Sequence, residues 1–282
     1  MILGRLGWHQ NKGSVVGALV KGGLVVVKAG KLLLALAAFA AYAFLFTWQF
    51  AVIMIGMLVI HECGHLGCMK HYGMKTKGIY LIPLVGAAAV AEDNFPSRRA
   101  EATIALAGPL TGAMLAAGTG LMYIATRNGA FAAAAAWMAL INLFNLLPVV
   151  PLDGGRVVKS ITCSVGSRTG LAAVVAGLLL GAVLAFTADL WIFVIVIPMG
   201  LADYLYDRHQ TNRAGRRDRR QAGRHARTKA GADIPAAKPP LSPRASQAAF
   251  ACYAGLAILL WLFMLAMGHQ PGAVAALHAL QG

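Results

Sequence analysis

Two histidines four residues apart, with a glutamate after the first, lie near the end of a nearly unbroken apolar run that begins at Leu32: His61-Glu62-Cys63-Gly64-His65. On a helix, residues four apart share a face, so His61 and His65 can reach one metal ion. Glu62 projects beside them, where a metal-bound water needs a base. The surroundings sharpen the signal, because two imidazoles and a carboxylate are costly in a lipid-facing run and mark a functional site. The competing reading is a histidine pair acting as polar glue between membrane helices.

Composition says which elements position these groups. The chain has 282 residues, of which 59% are apolar and only 12% charged. That balance predicts an all-α polytopic membrane protein of about six or seven transmembrane helices, at roughly 20 residues each. Candidate spans are 32–47, 50–69, 102–125, 130–147, 169–187, 190–206 and 248–268, with turns expected at Trp48-Gln49 and around Asp189. Residues 78–91 are apolar but too short to cross as a helix, and Pro83 and Gly86 interrupt them. Their start, Ile79-Tyr80-Leu81-Ile82, predicts a short re-entrant, β-hairpin-like segment. Non-helical backbone survives at membrane depth only against protein or a wet cavity, so this segment is expected beside the site. The chain then divides into a basic N-terminal segment, 1–31, cytoplasmic or on the membrane surface, and a core of about six spans, 32–206. A basic, disordered cytoplasmic linker, 207–247, and a last span with a short tail, 248–282, follow.

The net charge of +15 is concentrated between Arg208 and Arg244. No aromatic residues interleave with these charges, so nucleic acid is not expected as a partner. A cytoplasmic loop touching anionic lipid fits better. Threaded from a cytoplasmic N-terminus, the basic stretches 70–99, 156–168 and 208–244 all fall inside, and Arg127 is the only basic residue in an outside turn. The four cysteines, Cys63, Cys68, Cys163 and Cys252, show no metal-finger spacing. Cys68 could share the metal face with His65, but packing as a small buried residue is the better reading.

Catalytic zinc takes three protein ligands and leaves one position for water. Only ten acids are available for the third place. Glu92, Asp93 and Glu101 lie at the cytoplasmic rim, whereas Asp189 and Asp203 sit near the other face or deep in the sixth candidate span. Asp153 is singled out because Pro148, Pro151 and the Gly154-Gly155 pair break the helix and turn its carboxylate inward. In the threaded order it also lies on the same side of the membrane as the two histidines. The alternative is an ordinary Asp-Gly turn leaving a membrane helix.

These motifs resemble those of the site-2 protease family of intramembrane zinc metallopeptidases. His61-Glu62-Cys63-Gly64-His65 matches the family's H-E-x-x-H, and the run from Asn145 to Gly154 matches its N-x-x-P-x-x-P-x-D-G through Asn145, Pro148, Pro151, Asp153 and Gly154. Ala107-Gly108-Pro109-Leu110 resembles the Ala-Gly-Pro between the two motifs. The resemblance covers roughly 50–156. It implies one zinc ion per chain held by His61, His65 and Asp153, Glu62 as general base, and Asn145 holding substrate or steadying the reacting carbonyl. It further implies a single-span membrane-protein substrate cut within or near its transmembrane segment, in what is expected to be a bacterial inner membrane.

Departures from the pattern are visible. Nothing between the motifs is long enough for a PDZ insert, and no stretch of this sequence resembles a nucleotide-sensing domain. Gly112 stands where many relatives carry a polar residue, and Asn142 has no motif match and is expected to be interhelical glue. A substrate helix must unwind before a peptide bond is reachable, and 78–91 is expected to offer an edge for the unwound strand. Two rival functions remain in view. A non-catalytic relative that binds membrane clients is disfavoured by the intact Glu62, and a metal transporter would string polar residues through successive spans.

Overall fold

Side chains placed at helix starts set the boundaries of much of this fold. The hydroxyl of Thr47 accepts from the Phe50 amide at 3.3 Å and opens one helix; Ser97 does the same for the Ala100 amide at 3.0 Å. Asn128 accepts from Ala130 at 3.0 Å, and Ser242, with Pro243 at the first helical position, from Ala245 at 3.3 Å. The computed structural model describes residues 12–187, 193–225 and 238–281. Its elements run α1 (Lys12–Leu45), α2 (Trp48–His71), β1 (Thr76–Ile82), β2 (Gly86–Ala91), α3 (Arg98–Thr126), α4 (Gly129–Asn145), α5 (Asp153–Val165), α6 (Ser167–Thr187), α7 (Phe193–His225), α8 (Pro243–Gly268) and α9 (Ala273–Gln281).

The protein is mostly helical, and among the described residues four helices are long and apolar enough to cross a membrane: Trp48–His71, Arg98–Thr126, Arg168–Thr187 and Pro243–Gly268. Two shorter apolar helices, Ala29–Leu45 and Gly129–Asn145, accompany them. Leu33, Phe44, Met114, Leu121, Leu179, Phe186 and Leu262 all face outward, as expected of an integral membrane protein whose surroundings are lipid. Inside, α2 presents Met57 and Leu58 to Ala38 of α1, Ala116 of α3 and Met138 of α4.

The short segment expected near 78–91 is an antiparallel two-stranded hairpin, with Ile79 opposite Ala89 and Leu81 opposite Ala87. A register shift between Thr76 and Gly78 places Gly78 at φ +92°, a conformation that favours glycine. Lys31 of α1 donates to the Lys77 carbonyl and lies over the Tyr80 ring, clamping α1 onto β1.

Several expectations are corrected. Trp48 starts α2 instead of forming a turn, because Thr47 supplies the cap. The boundary drawn at residue 31 falls inside the continuous helix α1. The stretch after Asp153, to which no element was assigned, is the amphipathic helix α5. The candidate span 190–206 starts in residues outside those described, as does the turn around Asp189. What is described of that span belongs to α7, which turns polar from Asp207 and is not among the helices long and apolar enough to cross. Residues 207–225 of the supposed disordered linker continue α7, and 243–247 belong to α8; 226–237 lie outside the described residues, as do 1–11. The short tail contains α9, whose Ala273 packs on Tyr123 and Ala132.

A buried charge network joins α3, α5, α7 and the approach to α8. Glu101, expected at the rim, is 1% exposed and accepts from Arg98 at 2.9 Å and Lys238 at 3.1 Å, with the Lys159 Nζ at 3.2 Å. Lys159 also meets Asp203 at 2.7 Å, and Asp207 meets Arg98 at 2.7 Å and Lys238 at 3.0 Å. Burial alone would lower the Lys159 pKa; Glu101, Asp203 and Asp207 outweigh it and hold the ammonium above its ordinary value. Removing one member of such a network strands the others without water. Glu101→Ala should therefore destabilise the protein by about 3 kcal/mol, read as thermal unfolding in detergent; an unchanged melting temperature would show that the network contributes nothing.

Candidate metal centre

Three elements deliver the site. Helix α2 carries His61, Glu62 and His65, all buried. Helix α5 begins at Asp153, whose carboxylate sits in the first turn, where the helix dipole favours negative charge. The chain reaches Asp153 through a tight, proline-bearing loop after α4, with the Leu152 amide donating to the Val149 carbonyl at 2.9 Å. Gly154 and Gly155 allow this loop to fold back on itself, since a Cβ on Gly154 would lie 2.0 Å from the Leu146 carbonyl oxygen. Tyr253 of α8 clasps the same carbonyl at 2.7 Å.

The two imidazoles are oriented from behind. His65 Nδ1 donates to the Ile104 carbonyl at 2.7 Å, and His61 Nδ1 donates to the Asn142 Oδ1 at 3.0 Å. Both acceptors are oxygens, so each Nδ1 carries the hydrogen and each Nε2 presents a lone pair. These lone pairs point into one space: His61 Nε2 lies 3.1 Å from His65 Nε2, and Asp153 Oδ2 lies 3.0 Å and 3.2 Å from them. Three acceptor atoms so close require positive charge between them, as shared protons or as a metal ion. Ligand bonds of about 2.0–2.1 Å in a tetrahedral site place donor atoms roughly 3.3 Å apart, so this donor set fits zinc. Among the described residues it is the one group of three His, Cys, Asp or Glu side chains able to share an ion.

Gly108 makes the convergence possible. A Cβ there would stand 2.2 Å from His65 Nε2 and 2.7 Å from His61 Nε2, in the space the rings occupy. Pro109 follows within α3. Glu62 is placed differently: its Oε2 accepts from the Ala89 amide of β2 at 2.5 Å, so the hairpin lies directly against the candidate base.

The structure brings His61, His65 and Asp153 together, with Gly108 beneath them. Pro148, Pro151 and Gly154 shape the loop. Asn145 ends α4, half-buried, and its side chain makes no hydrogen bond to another described residue. Cys68 packs beside Met69, Met74 and Ile104, away from the metal group. Asn142 exceeds the expectation of interhelical glue: its acceptor is committed to a ligand histidine on another helix. Its spacing from the motifs gave no hint of that contact, which depends on how α2 and α4 pack.

Comparison with known proteins agrees with this geometry. Residues 49–128 match peptidase family M50. Zinc metalloprotease MJ0392 of Methanocaldococcus jannaschii is 33% identical over 119 residues, which are 39% of this chain and 33% of that protein. Rip3 of Mycobacterium tuberculosis is 33% identical over 118 residues, and sll0528 of Synechocystis is 32% identical over 118; each match covers 39% of this chain and 30% of the relative. Both are named as candidate zinc metalloproteases. The chain thus spans about a third of the length of the curated relatives it matches. Over that part it is distantly homologous to peptidase family M50, the site-2-protease-like zinc metalloproteases. The family match ends before Asp153, so that residue's place in the site rests on its distance to the imidazoles.

Proposed function

We propose that this chain is an intramembrane zinc metalloprotease that hydrolyses peptide bonds within or near transmembrane segments of single-span membrane proteins. One observation carries the reading: two Nε2 lone pairs and a carboxylate oxygen converge within 3.2 Å inside apolar helices, beside a glutamate. His61, His65 and Asp153 would hold one zinc ion per chain. Bound there, zinc supplies Lewis acidity, lowering the pKa of a coordinated water and polarising a carbonyl. Glu62 would accept a proton from the attacking water and return it to the leaving amine. Asn145, uncommitted to other described side chains, is available as a donor to the developing oxyanion.

The hairpin supports a route for substrate. The Ala89 amide points away from β1 and toward Glu62, so backbone groups on the outer edge of β2 face the base. An unwound substrate segment, which must find partners for its freed backbone groups, can add as a third strand along this edge. Positive charge in 70–99, 156–168 and 208–244 supports a cytoplasmic N-terminus, with the 208–244 stretch near anionic headgroups. An intact Glu62 favours catalysis over mere binding of membrane clients.

Glu62→Gln should abolish cleavage while zinc content stays near normal. Comparative membrane proteomics should then show an uncut single-span protein accumulating in the variant, and identical cleavage in both strains would remove Glu62 from the mechanism. Cysteines placed at 86–91 should form disulfides with a cysteine-bearing substrate; cross-linking near Asn145 but at none of these positions would refute the added strand.

A further inference from the structure

Of the two imidazoles at the metal centre, one is oriented by the main chain and the other by a single side chain. His65 is held by the Ile104 carbonyl, which no substitution at 104 removes. His61 is held by Asn142, a fully buried residue of α4. The Asn142 amide has one workable orientation. Its Nδ2 donates to the Met138 carbonyl at 2.7 Å, leaving Oδ1 to accept from His61. Turned over, it would set an oxygen against the Met138 oxygen and an NH2 against the protonated Nδ1, losing both bonds.

Gly112 is the other half of this arrangement. A Cβ at 112 would lie 2.2 Å from Asn142 Oδ1, 2.5 Å from Nδ2 and 2.7 Å from Cγ. The amide therefore rests in the space that any side chain on Gly112 would take. An asparagine used only as glue could spend its acceptor on any donor side chain of a facing helix; here it is spent on a ligand ring.

Resting on the zinc reading above, we infer that Asn142 is a positioning residue: it locks His61 in the tautomer whose Nε2 lone pair faces the metal, and the bare Gly112 is what admits it. Without the amide, His61 Nδ1 loses its buried acceptor, the other tautomer becomes competitive, and in that tautomer a hydrogen on Nε2 blocks ligation. The Cβ of a side chain at 112 falls about one asparagine amide's reach from the point the Asn142 oxygen now occupies. The same acceptor can thus be supplied from α3 once α4 gives it up.

The test uses the full chain in detergent, with zinc dissociation constants from chelator competition and melting curves of the metal-free protein. Asn142→Leu, which fills the same space without an acceptor, should weaken zinc binding about 10- to 100-fold, the usual effect of losing an outer partner of a ligand histidine. Asn142→Ala should weaken it similarly, and Asn142→Ala with Gly112→Asn should recover most of the loss. Gly112→Asn alone should be impaired, because two amides compete for one space. Wild-type affinity in Asn142→Leu would overturn the inference and reduce Asn142 to packing, as would a double variant no better than Asn142→Ala. If the wild type itself binds no zinc, the zinc reading falls and takes this inference with it, an outcome distinct from the other two.

Discussion

Three lone-pair-bearing atoms held about 3 Å apart, with almost no access to water, are the constraint on which the rest of this structure depends. Left alone, His61 Nε2, His65 Nε2 and Asp153 Oδ2 would repel one another, and each would lose its hydration without compensation. Positive charge between them turns the repulsion into binding energy. Burial that is a liability in its absence raises affinity in its presence, because few waters compete for the ion. The surrounding scaffold is arranged to keep these atoms from relaxing apart.

That arrangement works at several levels. Helix spacing on α2 puts two rings on one face, and the backbone and Asn142 turn them the same way. Gly108 on α3 leaves the rings room to meet, and the glycine pair after Asp153 lets its loop fold tightly enough to aim the carboxylate. Farther out, the network around Glu101 anchors α5 through Lys159, six residues beyond Asp153, to both α3 and α7. A displaced α5 would carry the third ligand with it, so the charges at the helix ends and the site between the helices are mechanically connected.

Much of the site was legible because its signals are local. A four-residue spacing settles that two histidines share a helix face whatever surrounds them, and prolines with a glycine pair announce a break wherever they stand. Asp153 could be chosen from ten acids because Pro148, Pro151 and the Gly154-Gly155 pair break the helix there, and charge asymmetry put it on the same side as the histidines. What escaped was decided by packing between elements. Asn142 looks like any asparagine in an apolar helix, and Gly112 reads as a missing contact; together they form a seat and its occupant, visible only once α3 and α4 are side by side. Helix α5 was not drawn as an element because its polar face, which holds Arg156 and Lys159, lowers its hydropathy below that of its neighbours. The polar extension of α7 read as linker for a similar reason: its charges say nothing about backbone conformation.

The family match that supports the assignment is partial, and it stops short of Asp153, so the claim that all three side chains share one ion is the one to measure directly. Zinc K-edge X-ray absorption on the purified protein addresses it. The account predicts one zinc per chain, with two imidazole nitrogens and a carboxylate oxygen at about 2.0–2.1 Å. A preparation that takes up no stoichiometric zinc, or a spectrum without the scattering signature of two imidazoles, would contradict it.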